Sequence, residues 1–299
     1  KQLKIAGVGE ALWDVFRHSE QLGGAPANFV SHCSMLGERG FLVSALGSDE
    51  RGRRAIERMT ELGVNSEYCA IIDGMETGVS TVVLDSKKDA KYEIKENVAW
   101  DLVHYDSTLF PFFQSLDAIC FGTLGQRTEN AHLATMKMLS ATKRECVKFF
   151  DLNFRQSFYS MRVISQSLTH SNILKLNEEE LKELSKLSAV SGSDEAIVGD
   201  LIQRFKLDLV ALTLGEQGSV LISSQEKHVQ AGYKTEVVDT VGAGDAFSAV
   251  ILIGYLKGWG LARLGKVANE LGSFICTRPG ATPRIPERFL EQMVQLGSD

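Results

Sequence analysis

The amino-acid sequence predicts an α/β fold in which a mostly parallel sheet is covered by helices on both faces. Two observations support this prediction. Short apolar runs alternate with longer amphipathic stretches, and no Pro/Gly/Ser-rich linker or internal repeat divides the 299 residues. Such alternation is typical of parallel sheets, whose strands are connected through helices. We therefore expect a single Rossmann-like domain over residues 1–299, with one additional β element.

Hydrophobic periodicity assigns the elements in order along the chain. The apolar runs that predict strands lie at residues 3–8, 40–46, 118–121, 146–150, 173–176, 209–213 and 218–223. The amphipathic stretches that predict helices lie at residues 27–36, 52–62, 129–139, 178–186 and 193–205.

Residues 77–95 do not follow this alternation of strands and helices. Two runs rich in Val, Thr and Tyr, at 77–84 and 90–95, flank a polar turn at 86–89, as in a β-hairpin. The hairpin either leaves the main sheet and forms a small β lid with residues 10–16, or it lies at an edge of the main sheet.

Composition excludes several classes of function. The formal net charge of −6 repels nucleic acid, while 44% hydrophobic and 23% charged residues are ordinary for a soluble protein. The longest apolar stretch, residues 249–256, is far shorter than the ~20 residues that span a membrane. Five cysteines, an odd number without C-x-x-C spacing, argue against structural zinc and a disulfide framework. We expect a cytoplasmic protein that binds neither nucleic acid nor membrane.

The strongest functional signal is DTVGAGDAFSAVILIGYLK at residues 239–257. Gly242, Ala243 and Gly244 directly precede a long amphipathic stretch, and small residues let the backbone turn tightly into a helix. The N–H groups at such a helix start form an anion hole that suits a transferring phosphoryl group. Asp245, in the first turn, could accept the proton of an incoming hydroxyl. The alternative is that Asp245 is only a helix N-cap.

A second signal is GGAPAN at residues 23–28, which opens a predicted helix. The paired glycines, including Gly24, permit close approach of the backbone to a ligand. Asn28 offers donors and an acceptor that match sugar hydroxyls. Asp14, at the end of the first strand region, supplies another acceptor. The alternative is a Gly-Gly turn before a helix-starting proline, with Asp14 as a turn residue.

Three further motifs follow predicted strands, at the ends where parallel sheets bind ligands. In DLNFR, Asn153 and Arg155 could reach substrate or phosphate, or could form a plain strand-end turn. In NEEE, Asn177 and Glu180 could organise water and magnesium near phosphates, and could also form a helix capping box. TLGEQG at residues 213–218 suits a turn that contacts a nucleotide, or a plain hairpin turn.

These motifs together resemble the ribokinase-like sugar kinases, also called the PfkB family. GGAPAN and DTVGAGDAF resemble its two signatures, and GEALWD, DLNFR, NEEE, TLGEQG and CTRPGATPRIP fit the same order along nearly the whole chain. The resemblance implies a ribokinase-like fold whose small β-sheet lid is formed by about residues 10–22 and 74–98. It also implies transfer of the γ-phosphoryl group of ATP to a sugar hydroxyl, with Mg²⁺ as cofactor.

The resemblance assigns the roles in phosphoryl transfer and sugar binding. Asp245 matches the catalytic base of the family. The anion-hole positions are matched by Gly242, Ala243 and Gly244. The sugar-binding positions are matched by Asp14, Gly24 and Asn28, with Asn153 and Arg155 as further positions.

The resemblance also assigns nucleotide and cation positions. The N-x-x-E motif tied to magnesium and phosphate is matched by Asn177 and Glu180, the latter acting through water. The nucleotide loop is matched by Thr213, Gly215 and Gly218, and Asn269 falls in the helix that flanks the adenine. The positions that form a monovalent-cation site in many members, which implies K⁺, are matched by Asp239, Thr240 and Gly280.

Within the family, GEAL, GGAPAN and the late CTRPGA look most like fructokinases, although Trp13 stands where a smaller aliphatic residue is common. The alternative acceptors are 2-keto-3-deoxygluconate, ribose and a nucleoside. A non-catalytic sugar-binding regulator would not need an intact Asp245, and a dehydrogenase is disfavoured because no G-x-G-x-x-G follows the first strand. Family members are often dimers, and the exposed β edge expected at residues 77–95 allows a homodimer.

Overall fold

The computed structural model describes residues 2–17, 19–84, 90–188 and 191–294. The strands in chain order are β1 (Lys4–Val8), β2 (Leu12–Val15), β3 (Glu20–Gly23), β4 (Arg39–Gly47), β5 (Cys69–Ile72), β6 (Gly78–Leu84), β7 (Ala90–Ile94), β8 (Ala118–Gly122), β9 (Val147–Asp151), β10 (Ile173–Asn177), β11 (Leu209–Thr213), β12 (Gly218–Ile222) and β13 (Lys227–Ala231).

The main sheet has nine described strands in the order β13-β12-β11-β10-β9-β8-β1-β4-β5. Every pair from β5 to β11 is parallel, and only the β11-β12 and β12-β13 pairs at one edge are antiparallel. The predicted mostly parallel sheet is therefore confirmed. The carboxyl ends of its parallel strands meet at one edge, where the motifs that follow β9, β10 and β11 come together.

The helices cover both faces of this sheet. In chain order they are α1 (Ala25–Met35), α2 (Glu50–Glu61), α3 (Phe110–Ser115), α4 (Glu129–Ala141), α5 (Met161–Thr169), α6 (Glu178–Ser188), α7 (Asp194–Phe205), α8 (Ala243–Leu256), α9 (Leu261–Cys276) and α10 (Glu287–Val294). None of the helices within the described ranges is both long enough and apolar enough to cross a membrane.

Helix α8 is central because it is buried on all sides. Every residue from Ala246 to Gly254 is buried, as expected for a helix that is apolar all round. It packs between α1 and α9. Its amino terminus is thereby fixed next to α1, which begins in the GGAPAN motif. The fold thus brings the two strongest sequence signals to one place.

Strand β9 shows how the core is divided into two layers. Successive residues of a strand point to opposite faces. Phe149 stacks on Phe29 of α1 with ring centroids 6.1 Å apart, whereas Phe150 stacks on Phe121 with centroids 5.1 Å apart on the other face. Both phenylalanines of β9 are fully buried. The sheet is therefore buried on both faces, as its continuous apolar strands predict.

The hairpin at residues 77–95 belongs to a separate four-stranded sheet with the order β3-β2-β6-β7. Strand β6 pairs antiparallel with β7 and parallel with β2. The predicted hairpin is confirmed, and its assignment to an edge of the main sheet is wrong, because β2 takes up the edge of β6. The turn predicted at residues 86–89 lies outside the described residues.

The small sheet is anchored to α2 on the side away from the main-sheet edge. The indole N–H of Trp13 donates to the carbonyl of Arg51 at 3.0 Å, and the guanidinium of Arg54 lies 4.5 Å from the Trp13 ring centre. Glu20 forms ion pairs with both arginines. Trp13 is therefore a packing residue of this sheet, which explains its large size.

Candidate active site

A cavity of about 390 Å³ lies between the small sheet and the carboxyl edge of the main sheet. This is where open parallel sheets bind ligands. Among the residues singled out by sequence, those that line it are Asp14, Gly24, Asn28, Asn153, Arg155, Asn177, Glu180, Thr240, Gly242, Gly244 and Asp245. The structure therefore gathers positions that are up to 231 residues apart in the sequence, from Asp14 to Asp245, around one space.

The start of α8 lines one part of the cavity. Gly242 is the N-cap residue with φ 79°, and a Cβ on it would lie 2.2 Å from the carbonyl oxygen of Ala281, so only glycine fits. The Ala243 N–H donates to the carbonyl of Thr240 at 3.3 Å. In the described part of the chain, the N–H groups of Gly244 and Asp245 have no protein acceptor. These two amides, at the positive end of α8, can bind an anion.

Asp245 is held beside these amides by α1. The Asn28 side-chain N–H donates to Asp245 Oδ2 at 2.9 Å. Burial and the nearby charge of Asp151 raise the pKa of Asp245 to about 7, against the opposing effect of the Asn28 bond. The interpretation of Asp245 as an N-cap is wrong, since Gly242 occupies that position. A carboxyl that titrates near neutral pH is suited to general base catalysis.

Lys175 is a cavity residue that the sequence interpretation missed. Its ammonium donates to Asp151 Oδ1 at 3.0 Å, and Ser248 of α8 donates to Asp151 Oδ2 at 3.1 Å. A Cβ built on Gly244 would lie 3.4 Å from Lys175 Nζ, which places the ammonium next to the anion hole. Burial alone would lower the pKa of Lys175, but the surrounding carboxylates of Asp151, Glu180 and Asp245 raise it to about 12.

A lysine inside the apolar strand ILKLN is the signal that could have identified it. Lysine is rarely buried unless it is paired. In a strand whose neighbours Leu174 and Leu176 are fully buried, Lys175 must meet an opposite charge. The register of β9 and β10 places Asp151 directly opposite Lys175. The register of β9 and β10 therefore pairs the charges of Lys175 and Asp151 at this end of the sheet.

Two further carboxyl groups, from β2 and from the segment after β1, line the cavity. Asp14 lies in β2, not at the end of the first strand as predicted, and burial raises its pKa to about 6. Glu10 lies two residues after the end of β1, and burial raises its pKa to about 7. Glu10 Oε1 accepts a hydrogen bond from the Ala25 N–H at 3.2 Å, which fixes the first residue of α1. Glu10 was not predicted as a site residue, although it lies just beyond the apolar first strand.

We predict that Glu10→Gln makes the protein's stability less dependent on pH. The folded-state pKa of Glu10 is about 7, above its ordinary value of 4.5, so the native state holds this proton more tightly than the unfolded chain. Its contribution to the free energy of unfolding is complete below pH 4.5 and is lost as pH rises to 7, by about 3 kcal/mol. Glu10→Gln should abolish that loss.

Urea titrations from pH 4 to 8 measure the effect as a widening gap between the Glu10→Gln variant and the wild type. Glu291→Gln, which changes an exposed carboxyl of α10, is the matched control and should follow the wild-type curve. Parallel curves for wild type and Glu10→Gln would contradict the prediction.

Asn177 and Glu180 form the predicted capping box at the start of α6. Asn177 Oδ1 accepts from the Glu180 N–H at 2.8 Å, and Glu180 Oε2 accepts from the Asn177 N–H at 2.8 Å. Glu180 Oε1 accepts from the Phe154 N–H at 3.0 Å, so Glu180 also fixes the loop that carries Asn153 and Arg155. Burial raises the pKa of Glu180, with Lys175 opposing the shift.

Magnesium usually keeps several waters and is held by one or two carboxylates together with substrate phosphates. Within the described ranges, no cluster of three or more His, Cys, Asp or Glu side chains could hold a metal by itself. These residues do not form a closed protein cage, which is compatible with a magnesium ion held mainly by water and phosphate.

Several predicted nucleotide and cation positions lie outside the cavity. Thr213 pairs with Asn177 in register, residues 214–217 form the turn between β11 and β12, and Gly218 is the first residue of β12. The Asn269 side-chain amide donates to Ser219 Oγ and to the Gly265 carbonyl, both at 2.7 Å. Together with Ala243, the sequence-derived positions that do not line the cavity are Thr213, Gly215, Gly218, Asn269, Asp239 and Gly280.

Asp239 connects the start of α8 to the carboxyl-terminal loop. Its carboxylate accepts hydrogen bonds from the N–H groups of Val241 and Gly280, each at 3.0 Å. These bonds hold the segment before Gly242 against residues 280–281. Asp239 thus fixes the segment that leads into the two free amides at the start of α8.

The comparison with protein families agrees with this geometry. The model of the pfkB family carbohydrate kinases matches residues 3–288. The chain belongs to this family. The kinase is thus a phosphotransferase whose acceptor is a sugar hydroxyl.

Relatives and solved structures agree with this assignment. The kinase is 28% identical to the uncharacterized sugar kinase PH1459 of Pyrococcus horikoshii, over 95% of this chain and 94% of the relative. It is 27% identical to Fructokinase-1 of Zea mays, over 94% and 90%. The structure of PH1459 in complex with ATP has a TM-score of 0.83 at 25% identity, covering 97% and 100% of the two chains. The ribokinase-like fold is confirmed.

Proposed function

We propose that this kinase transfers the γ-phosphoryl group of ATP to a primary hydroxyl of a neutral sugar, with fructose as the first candidate. The observation that carries the proposal is the position of the Asp245 carboxylate, in the first turn of α8 beside its unpaired amides and at the end of a cavity lined by polar groups. Zea mays Fructokinase-1, at 27% identity, and the ATP complex of PH1459 support the choice of substrates.

In this proposal Asp245 removes the proton from the sugar hydroxyl as the oxygen attacks the γ-phosphorus. The pKa of about 7 keeps a large fraction of Asp245 ionised at neutral pH. Asn28 donates to one carboxylate oxygen, so the other oxygen can face the hydroxyl. The proton passes to Asp245, the new O–P bond forms, and ADP leaves with the electrons of the broken bond.

The charge of the migrating group is met by the N–H groups of Gly244 and Asp245 and by the Lys175 ammonium. These donors are fixed before the reaction, α8 by its buried length and Lys175 by Asp151 and Ser248. Preorganised donors of this kind stabilise charge without reorganisation during the reaction. Magnesium, held through water by Glu180, would supply further neutralisation of the ATP phosphates.

Charge favours a neutral sugar over a sugar acid. Four carboxyl groups, those of Glu10, Asp14, Glu180 and Asp245, line the cavity, whereas Lys175 is already paired with Asp151. Arg155 is the one further cation among the described lining residues, and it is exposed to solvent, which weakens its effect. The carboxylate of 2-keto-3-deoxygluconate would add a like charge to this group, which disfavours binding. Carboxyl groups, by contrast, are good hydrogen-bond acceptors for sugar hydroxyls.

We further propose that the small sheet is the lid over the sugar, because Leu12, Asp14, Ser80 and Ile94 line the cavity from that side. Closure of a lid would exclude water, which competes as acceptor. A homodimer formed through the small sheet and a K⁺ site near Asp239, Thr240 and Gly280 stay predictions.

The test is a substrate panel in a coupled assay of ADP release. We expect fructose to give the highest kcat/KM, above ribose and a nucleoside, and 2-keto-3-deoxygluconate to give the lowest. Each reaction is run with and without potassium, which should stimulate the rate if the cation site exists. Faster turnover of the sugar acid than of fructose would contradict the charge argument. Sugar binding without ADP release from any substrate would indicate a sugar-binding regulator instead.

A further inference from the structure

Arg127 is a buried arginine outside the catalytic groups. It follows the short 3-10 helix Leu124–Gln126, which comes directly after β8. Only 2% of its side chain is exposed. Its guanidinium is sandwiched between two rings, with its carbon 3.8 Å from the Trp100 ring centre and 4.9 Å from the Phe158 ring centre. An arginine between two aromatic faces has a fixed orientation.

The same guanidinium makes three hydrogen bonds. Arg127 Nε donates to Asp101 Oδ1 and Nη2 donates to Asp101 Oδ2, both at 2.7 Å, in a bidentate pair. Nη2 also donates to the carbonyl of Lys95 at 2.7 Å. Asp101 is itself held, because its Oδ2 accepts from the Val98 N–H at 3.1 Å. The contacts join three separate stretches of the chain, around residues 95–101, 127 and 158.

Each joined stretch carries part of the sugar end of the cavity. Lys95 follows Ile94 of β7, and Arg127 follows Leu124 by three residues; both apolar side chains line the cavity. The N–H of Phe158 donates to the carbonyl of Arg155 at 3.0 Å, which connects the ring to the DLNFR loop.

Trp100 extends this network to the lid. A Cβ on Gly78 would lie 2.5 Å from the Trp100 indole nitrogen, so the ring packs directly on β6. Two residues further along β6, Ser80 lines the cavity. Arg127 therefore connects the lid, the loop after β8 and the loop after β9 through one side chain.

Stability alone does not account for an ionised pair at this place. Replacing a buried ion pair with apolar groups of similar volume is often neutral or stabilising. Among the described residues, Arg127 Nη1 has no acceptor although it is buried, and such a group lowers stability. A fixed bidentate geometry, however, sets the relative positions of the segments that it joins.

We propose that Arg127 is a positioning residue that fixes the lid and the two loops around the sugar. It does not touch the substrate. The proposal rests on the proposed sugar site, and the substrate panel on the wild type tests that site first. Arg127 variants are then assayed with whichever acceptor the wild type phosphorylates, so the two proposals can fail separately.

Arg127→Lys and Arg127→Met test the proposal in steady-state kinetics with full-length enzyme. We expect the KM for the sugar to rise by about tenfold or more, because small displacements of binding groups are costly. The KM for ATP should change by less than about twofold, since Arg127 is not joined to the start of α8. Lysine at position 127 should not restore the wild-type KM for the sugar, because it can neither stack as a plane nor bind Asp101 in a bidentate manner.

The matched control is Arg162→Met. Arg162 pairs with Glu129 at the surface, at 3.1 Å, and does not line the cavity, so both KM values should stay at the wild-type level. Calorimetry follows the Tm of every variant. If Arg127→Met does not fold, the proposal is tested with Arg127→Lys and Asp101→Asn. Both variants should show the same selective rise in the KM for the sugar. An unchanged sugar KM in folded variants, or equal rises for sugar and ATP, would overturn the proposal.

Discussion

Asp245→Asn is expected to lower kcat by about 10³-fold, because a positioned general base typically contributes 10²–10⁴-fold. Asparagine has the same shape and can still accept the hydrogen bond that Asn28 donates to Asp245 Oδ2. Sugar binding should therefore survive. Calorimetric titration with the sugar, beside the coupled assay, measures binding and turnover separately.

The pH profile gives a second measurement of the same group. The wild-type kcat/KM should fall by about tenfold per pH unit below pH 7, because Asp245 must be ionised to act as a base and its pKa is about 7. The residual activity of Asp245→Asn should lack this acidic limb. Burial and Asp151 cause the raised pKa, so the limb lies well above the ordinary range of an aspartate.

Asp200→Asn is the control for this substitution. Asp200 is an exposed residue of α7 that does not line the cavity, and its replacement should leave both kcat and the pH profile unchanged. A near-normal kcat in Asp245→Asn, with the acidic limb retained, would refute the assignment of Asp245 as the base.

The sequence predicted the main sheet well because its buried strands are continuously apolar. Strands such as β8 and β10 face helices on both sides, so their continuous hydrophobicity is enough to identify them as strands. Strand β13 was missed because its residues KHVQA alternate between exposed and half-buried at the sheet edge. Edge strands need not be apolar on both faces, and periodicity is then a weak signal. Asp14 was assigned to the first strand region because the short strand β2, Leu12–Val15, was not predicted as a separate strand.

Those parts of the site that depend only on local hydrogen bonds and turns could be predicted from the sequence. The glycines before α8 must form a tight turn, and the Asn177–Glu180 capping box is local, with both hydrogen bonds at 2.8 Å. Contacts between distant segments were not predictable. The Asn28–Asp245 bond joins residues 217 positions apart, and the Lys175–Asp151 pair depends on the register of two strands. Such pairings follow from the sheet order, which periodicity does not specify.

The charge balance around Lys175 leads to the second large effect. Lys175→Met should lower kcat by about 10²–10³-fold, because it removes a preorganised positive charge next to the anion hole. It should also lower the free energy of unfolding by about 3–5 kcal/mol, since Asp151 is then buried without its partner. Asp151 keeps the Ser248 hydrogen bond at 3.1 Å, which does not replace a counter-charge.

The double variant Asp151→Asn/Lys175→Met separates these two effects. It removes both buried charges, so most of the lost stability should return, while the lost kcat should not. Chemical denaturation and single-turnover kinetics measure the two quantities on the same preparations. The surface control is Lys186→Met, whose ammonium lies 3.4 Å from Glu183 with 75% of its side chain exposed, and it should change neither quantity.

Recovery of both stability and kcat in the double variant would mean that Lys175 serves only to neutralise Asp151. Recovery of stability alone would assign the ammonium a direct part in phosphoryl transfer. The second result is expected because the pair lies at the ends of β9 and β10, where Lys175 Nζ is next to the start of α8 and its two free amides. An apolar pair at β9 and β10 would keep the sheet intact and leave the migrating group with two backbone amides as its nearest protein donors.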